Sequence, residues 1–195
     1  MKRIFLALVV SCFTLAISGQ SDRSIEQDEW YVSVGVNTIN SLGSKNPLES
    51  PGDWAFKTPI SASIETRWTD LFSLEIGLSL NGFDAGAPLD AAGPPAEDLI
   101  YFAVDTSLKY YFGEYILPRQ EWFDLYIGAG LGLFVIEDAN LSFNIGGGAI
   151  FWLNRNHTFG LKPQAVAKFA ANHRDAGQIY PNNHFQYSIQ AVFKL

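Results

Sequence analysis

The chain has 195 residues, with 13 Lys plus Arg against 20 Asp plus Glu, giving a net charge of −7 at pH 7. An acidic balance of this kind argues against a nucleic-acid partner, and the length fits a leader followed by one domain. Aromatic residues make up 14% and glycines number 17, a combination suited to a β-barrel with aromatic girdles and close backbone packing.

Met1, Lys2 and Arg3 precede an apolar run from Ile4 to Ile17 and then Ser18, Gly19 and Gln20. A basic start, a short apolar stretch and a small-residue exit predict a secretory leader over residues 1–20. The run is too short to span a bilayer as a helix, and no later stretch reaches the roughly 20 apolar residues a helical span needs. Val9, Val10, Ser11 and Cys12 resemble the box before a lipidated cysteine. Phe13 to Ile17 stay apolar where a lipoprotein would turn polar, so cleavage between Ser18 and Ser21 is expected. Loss of Lys2 and Arg3 takes the net charge from −7 to −9 and removes the single cysteine. No disulfide, thiol nucleophile or cysteine metal site is then expected. Residues 21–29 read as a short periplasmic segment and 30–195 as the barrel.

From residue 30 onward the sequence alternates with period two, in segments near the roughly 9–11 residues of a tilted membrane strand. Trp30 to Thr38 sets Trp30, Val32, Val34 and Val36 against Tyr31, Ser33, Gly35 and Asn37. Pro59 to Trp68 sets Ile60, Ala62, Ile64 and Trp68 against Ser61, Ser63, Glu65 and Arg67. After a turn at Thr69 and Asp70, Phe72, Leu74, Ile76, Leu78 and Leu80 oppose Ser73, Glu75, Gly77, Ser79 and Asn81. This pair is the clearest hairpin. Leu99 to Phe112 sets Ile100, Phe102, Val104, Leu108 and Tyr110 against Tyr101, Ala103, Asp105, Ser107 and Lys109.

Trp122 to Ile136 sets Phe123, Leu125, Ile127, Ala129, Leu131 and Leu133 against Asp124, Tyr126, Gly128, Gly130 and Gly132. An acidic turn, Glu137 to Asn140, leads to Leu141, Phe143, Ile145, Ala149 and Phe151 opposite Ser142, Asn144, Gly146 and Gly148. Thr158 to Ala170 sets Phe159, Leu161, Ala165, Ala167 and Phe169 against Gly160, Lys162, Gln164 and Lys168. Pro163 inside this segment predicts a bulge or frayed pairing, since a closed barrel has no edge where a missing N–H is harmless, and Val166 breaks the alternation by pointing inward. His184 to Leu195 sets Phe185, Tyr187, Ile189, Ala191, Phe193 and Leu195 against Gln186, Ser188, Gln190 and Lys194.

Eight segments is the even number that bacterial single-chain barrels have, and long connections alternate with short ones except at Glu137 to Asn140. With both termini in the periplasm, the long connections fall mostly outside. The polarity of the two faces then decides between water and lipid. In a soluble barrel the apolar face points into the core. Here the other face carries Ser, Gly, Asn, Gln and few charges, too little for a water-facing exterior. Trp30, Trp68, Tyr110, Trp122, Trp152 and Tyr187 sit near strand ends, where amphipathic rings form a girdle at the headgroups. The fold expected is therefore all-β, an eight-stranded antiparallel up-and-down transmembrane barrel in the outer membrane of a Gram-negative cell.

The "GLKPQ" of Gly160 to Gln164 and the closing "NHFQYSIQAVFKL" of Asn183 to Leu195 resemble the OmpA-like outer-membrane barrel family. The resemblance covers almost all of the chain after the leader. It implies a small barrel, and many members continue into a periplasmic peptidoglycan-binding domain. This sequence stops at the last strand, so cell-wall anchoring is not expected of it. The final Leu195 stands where the assembly signal of the class usually has Phe.

Glu65, Arg67, Glu75, Asp105 and Lys109 fall on inward faces toward the periplasmic half. Buried charge is costly unless paired, which predicts a lumen charge network plugging a barrel only wide enough for side chains. Lys162, Lys168, Asp124 and Lys194 extend it. The inward glycines at period two fail the dinucleotide fingerprint and make room for Tyr101 and Tyr126. His157, His173 and His184 lie in turns or strand ends without a marked serine, and no catalytic residue, cofactor or metal site is expected. Asp84, Asp90, Glu97 and Asp98 in the loop Gly82 to Asp98 lack a calcium-loop spacing and read as a solvated acidic loop. The leading expectation is a monomeric, non-enzymatic barrel with a structural role in envelope integrity and loops exposed outside. Its expected partners are outer-membrane lipid, lipopolysaccharide and the assembly machinery. A narrow low-conductance pore comes second, and an adhesin or receptor acting through loops and Trp54 third.

Overall fold

The computed structural model describes residues 28–40, 46–48, 50–87, 93–116, 118, 122–172 and 182–195. The expected leader, Cys12 and His173 lie outside them. Eight strands form: β1 Glu29–Ile39, β2 Ile60–Arg67, β3 Phe72–Phe83, β4 Leu99–Tyr111, β5 Phe123–Ile136, β6 Asp138–Trp152, β7 Phe159–Ala170 and β8 His184–Lys194. Each pairs antiparallel with the next, and β1 closes on β8. Closure leaves no free sheet edge, so strand donors and acceptors are met laterally along most of the wall, the condition for a sheet to lie in hydrocarbon.

Register follows from the alternation, because a slip of one residue would turn every apolar side chain inward. Tyr31 faces Glu65 across one neighbour and Lys194 across the other, which keeps the polar set of three strands on one side. Val34, Ile76, Leu131, Ile145 and Ile189 are between 45% and 61% exposed on the outside. Glu65, Lys109 and Lys162 are at most 2% exposed inside. The exterior thus presents a continuous apolar belt, and the barrel is of the membrane type. A charge there should be expensive. Ile76→Arg is expected to lose about 2–4 kcal/mol of unfolding free energy in lipid vesicles, the cost of a basic side chain at mid-membrane. An unchanged urea midpoint would show that Ile76 meets water.

Four sequence expectations need correction. Trp152 does not join the exterior girdle, because it ends β6 on the inward side and is 6% exposed. β3 continues through Gly82 and Phe83, so the acidic loop starts at Asp84. The turn after β5 is Glu137 alone, at φ 59°, since Asp138, Ala139 and Asn140 pair back onto Ile136, Val135 and Phe134. Its acidic and amide residues look like loop but are ladder. Finally, the inward face is apolar at the end remote from the termini. Ile39, Ala55, Phe83, Leu99, Tyr101, Ala103, Phe134, Ile136 and Ala170 form a buried cluster there.

Pro163 causes no bulge. β6 and β7 keep one register on both sides of it, but the two rungs opposite Ala149 and Ile150 are missing, while pairing to β8 runs through unbroken. The frayed alternative is what forms. Val166 does point inward, lying against Gly146.

Candidate functional site

The lumen is filled in layers. At the terminal end Lys194 pairs with Glu29, which also accepts from the Tyr31 hydroxyl. Above them Tyr31, Tyr111, Tyr126, Ile150, Trp152 and Val192 make an aromatic floor. The Arg67 guanidinium lies 3.8 Å from the Tyr111 ring centroid and 3.3 Å from Asp124. Trp152 Nε1 donates to the same Asp124 oxygen at 3.0 Å. Trp152 faces inward with Ser142, Asn144 and Gly148 of its strand, and there its N–H, which needs a partner when buried, is met by Asp124 across the strand pair.

Next comes a square of two carboxylates and two ammonium groups. Lys109 Nζ stands 2.8 Å from both Glu65 and Glu75, and Lys162 Nζ stands 2.5 Å from Glu75 and 4.0 Å from Glu65. Remaining lone pairs on the carboxylates are used. Ser73 donates to Glu65 at 2.6 Å, Tyr111 donates to Glu65 at 2.5 Å, and Ser63 donates to Glu75 at 3.0 Å. Lys109 also faces the Tyr126 ring at 4.3 Å. Desolvating an ion costs several kcal/mol, which a buried pair recovers only with good geometry and full hydrogen bonding. This square has both, and it carries no net charge.

Three of the five expected network members thus meet directly: Glu65, Glu75 and Lys109. Arg67 sits one layer below with Asp124. Asp105 is elsewhere, because in the ladder it pairs with Gly77, two rungs above the Glu75–Ser107 pair. It forms a second cluster, 2.7 Å from Lys168 and accepting from Asn144 at 2.8 Å. Lys168 Nζ donates to the Tyr101 hydroxyl at 3.0 Å, and that hydroxyl is 3.0 Å from His184 Nε2. Lys162 completes the square, so a residue read as an extension is central. Tyr111 and Ser73 were missed, although each continues the inward set of its own strand.

Between the two clusters lies a cavity of about 50 Å³, whose lining includes Ser61, Ser79, Gln164 and Gln186 together with Glu75 and Lys109 of the square. That is room for a few waters. The apolar cluster around Phe134 and Tyr101 closes the far end. The glycines on β5 and β6 make space as expected for Tyr126, whose hydroxyl would meet a Cβ on Gly148 at 2.5 Å, and also for Asp105 beside Gly132. His184 Nδ1 is held by the Asn182 carbonyl at 2.8 Å, and His157 stacks on Trp152 at 5.4 Å. Neither meets a serine nucleophile through any of these contacts.

Of the expected girdle, Trp30, Trp68 and Trp122 are between 43% and 53% exposed, and with Tyr110 they ring the terminal end. Tyr187 lies near the other end, stacked on Trp54 at 4.7 Å. The acidic loop is not merely solvated. Lys57 from the preceding loop lies 2.7 Å from Asp84 and 2.5 Å from Asp98. Hydrogen bonding to Asp84 and Asp98 raises the Lys57 ammonium above its ordinary value, and the Lys57 bond lowers the Asp98 carboxyl.

A closed eight-stranded barrel with a greasy exterior and a lumen packed with paired charge defines a small barrel of the outer-membrane class. The comparisons agree at the level of fold. OprG, an outer membrane protein of Pseudomonas aeruginosa, matches with a TM-score of 0.56 at 13% identity, over 86% of this chain and 96% of its own. Neisserial surface protein A matches with a TM-score of 0.54 at 12% identity, over 85% and 96%. The N-terminal β-barrel domain of Pseudomonas aeruginosa OprF gives 0.50 at 14% identity, over 87% and 100%. No family model matches the sequence, and no curated protein does. The fold is thus OmpA-like, as the resemblance implied.

Proposed function

We propose that this chain is a plugged, non-enzymatic outer-membrane barrel that acts through its scaffold and exposed loops, contributing to envelope integrity without conducting solute. One observation carries this reading. The lumen is blocked at three levels, by the aromatic floor, the Glu65–Glu75–Lys109–Lys162 square and the apolar cluster around Phe134. An ion on this path would have to break charge pairs and then pass a close-packed, mainly apolar layer, which is unfavourable at both steps. Neighbouring lipid, lipopolysaccharide and the outer-membrane assembly machinery are its proposed partners, and a monomer its state.

Planar-bilayer recording on purified protein tests the reading. The wild type is expected to give no reproducible conductance steps, and Arg67→Gln and Lys109→Gln no change in that baseline while the apolar cluster stays in place. Regular steps that shift on neutralising Arg67 or Lys109 would establish a narrow pore instead. Gel mobility of unboiled against boiled samples confirms that the recorded protein is the folded barrel.

A further inference from the structure

The two rims of the barrel are furnished differently. At the terminal end, outward Trp or Tyr side chains come from four places around the wall: Trp30, Trp68, Tyr110 and Trp122. At the loop end, among the described residues, Tyr187 is the outward strand residue of that kind, and it does not stand alone. Trp54, from the connection between β1 and β2, lies flat against it, with centroids 4.7 Å apart and planes 5° from parallel. The Tyr187 hydroxyl donates to the Pro47 carbonyl of the same connection.

That connection is pinned to the rim. Ala55 bridges Ile39, and the Ala55 carbonyl accepts from Thr38 Oγ1 at 2.8 Å and from Asn81 Nδ2 at 3.1 Å. With Ala55 buried in the apolar cluster, its neighbours on either side take the opposite aspect. Phe56 is 61% exposed, Leu48 67% and Ile60, the first residue of β2, 57%. Ile60 and the Trp54–Tyr187 stack thus lie at the edge of the apolar belt beside Val36 and Ile189, which are 45% and 57% exposed, and exposed Leu48 and Phe56 belong to the same pinned connection. The basic residue of this stretch, Lys57, is held by Asp84 and Asp98. Asp53, exposed beside Trp54, is the other charged residue among the described residues of the stretch, and the apolar part of the ledge is Leu48, Trp54 and Phe56.

We infer that residues 46–48 and 50–58 form a ledge seated in the interfacial layer of the bilayer, with Leu48, Trp54 and Phe56 as lipid contacts. The occupant is lipid because the ledge continues a surface already facing acyl chains, and because Trp and Tyr favour the headgroup boundary, where the Trp54–Tyr187 pair stands at the loop end among the described residues. Exposed to water, the same residues would form an unpaired apolar patch on a loop. The ledge fixes how deep this side of the barrel sits. The inference rests on the membrane reading of the barrel.

The test places an environment-sensitive fluorophore at Leu48→Cys, Phe56→Cys and, in the middle of the belt, Ile76→Cys, in a Cys12→Ser background, with protein folded into phosphatidylcholine vesicles. Nitroxide attached near the lipid headgroup is expected to quench the Leu48 and Phe56 probes at least about half as strongly as a neighbouring belt position, with little quenching by aqueous iodide. The Trp54→Phe difference spectrum should likewise show iodide-resistant, blue-shifted Trp54 emission. If iodide quenches all three ledge positions while Ile76 remains lipid-quenched, the ledge faces water or a protein partner and the inference is overturned. If Ile76 is also reached by iodide, the membrane reading itself fails.

Discussion

Replacing Lys109 with methionine is expected to lower the unfolding free energy by about 3–5 kcal/mol, the loss seen when one partner of a buried ion pair is removed. Lys109 bonds both carboxylates of the square at 2.8 Å. Without it, Glu65 and Glu75 share Lys162, and Glu65 is 4.0 Å from that ammonium. One buried anion is then undercompensated at a site where Glu65 and Glu75 are 2% and 5% exposed. Adding Glu65→Gln removes that excess charge and leaves the 2.5 Å pair of Glu75 and Lys162 intact. The double variant should therefore recover about 2 kcal/mol relative to Lys109→Met alone, a coupling that a cycle of single and double variants measures directly. Urea titration in vesicles, followed by tryptophan emission and by gel mobility, gives the values. A Lys109→Met barrel within about 1 kcal/mol of wild type would mean that water reaches the square and that the plug reading is wrong.

A single methyl group at Gly130 should do comparable damage by a different route. Its Cβ would lie 1.8 Å from the Thr106 carbonyl oxygen and 2.9 Å from Ser107 Cα, both backbone atoms of β4. Gly130 is held by Ser107 on one side and Asn144 on the other. In a closed barrel β5 cannot retreat from β4 without crowding β6, so the clash has no inexpensive release. Overpacking a well-filled site typically costs about 1–3 kcal/mol and occasionally more, and Gly130→Ala is expected at or above the top of that range. Gly77→Ala is the control. Its Cβ would find its nearest neighbour, the Ala62 carbonyl oxygen, at 4.0 Å, and the change should stay within about 0.5 kcal/mol. Equal behaviour of the two variants would show that backbone approach is not what selects glycine at position 130.

The sequence by itself determined the number of strands, their order and which side of each faces lipid. Period two is a local property: Phe72, Leu74, Ile76 and Leu78 face one way whatever the rest of the chain does. It also determined which charges lie inside, since Glu65, Glu75 and Lys109 sit on the minority face of strands with apolar partners. Pro163 was readable as a site of weakened pairing because its missing N–H is a property of the residue.

Only the tertiary structure decided which inward charges meet. Facing inward fixes direction and not height. Height comes from strand stagger around the closed sheet, which sets Asp105 beside Lys168 and brings Lys162, from a distant strand, onto Glu75. Trp152 shares the parity of Ser142, Asn144 and Gly148, so its inward direction was legible in the alternation, and the closed sheet supplied its partner, Asp124. The apolar closure of the loop end was hidden for a related reason. Phe83, Phe134 and Ile136 lie at inward positions of three strand ends, and each alone looks like a break in alternation. Brought to one rim, they become a packed layer. Local pattern fixes the face a side chain takes, and the closed geometry of the barrel fixes its neighbours.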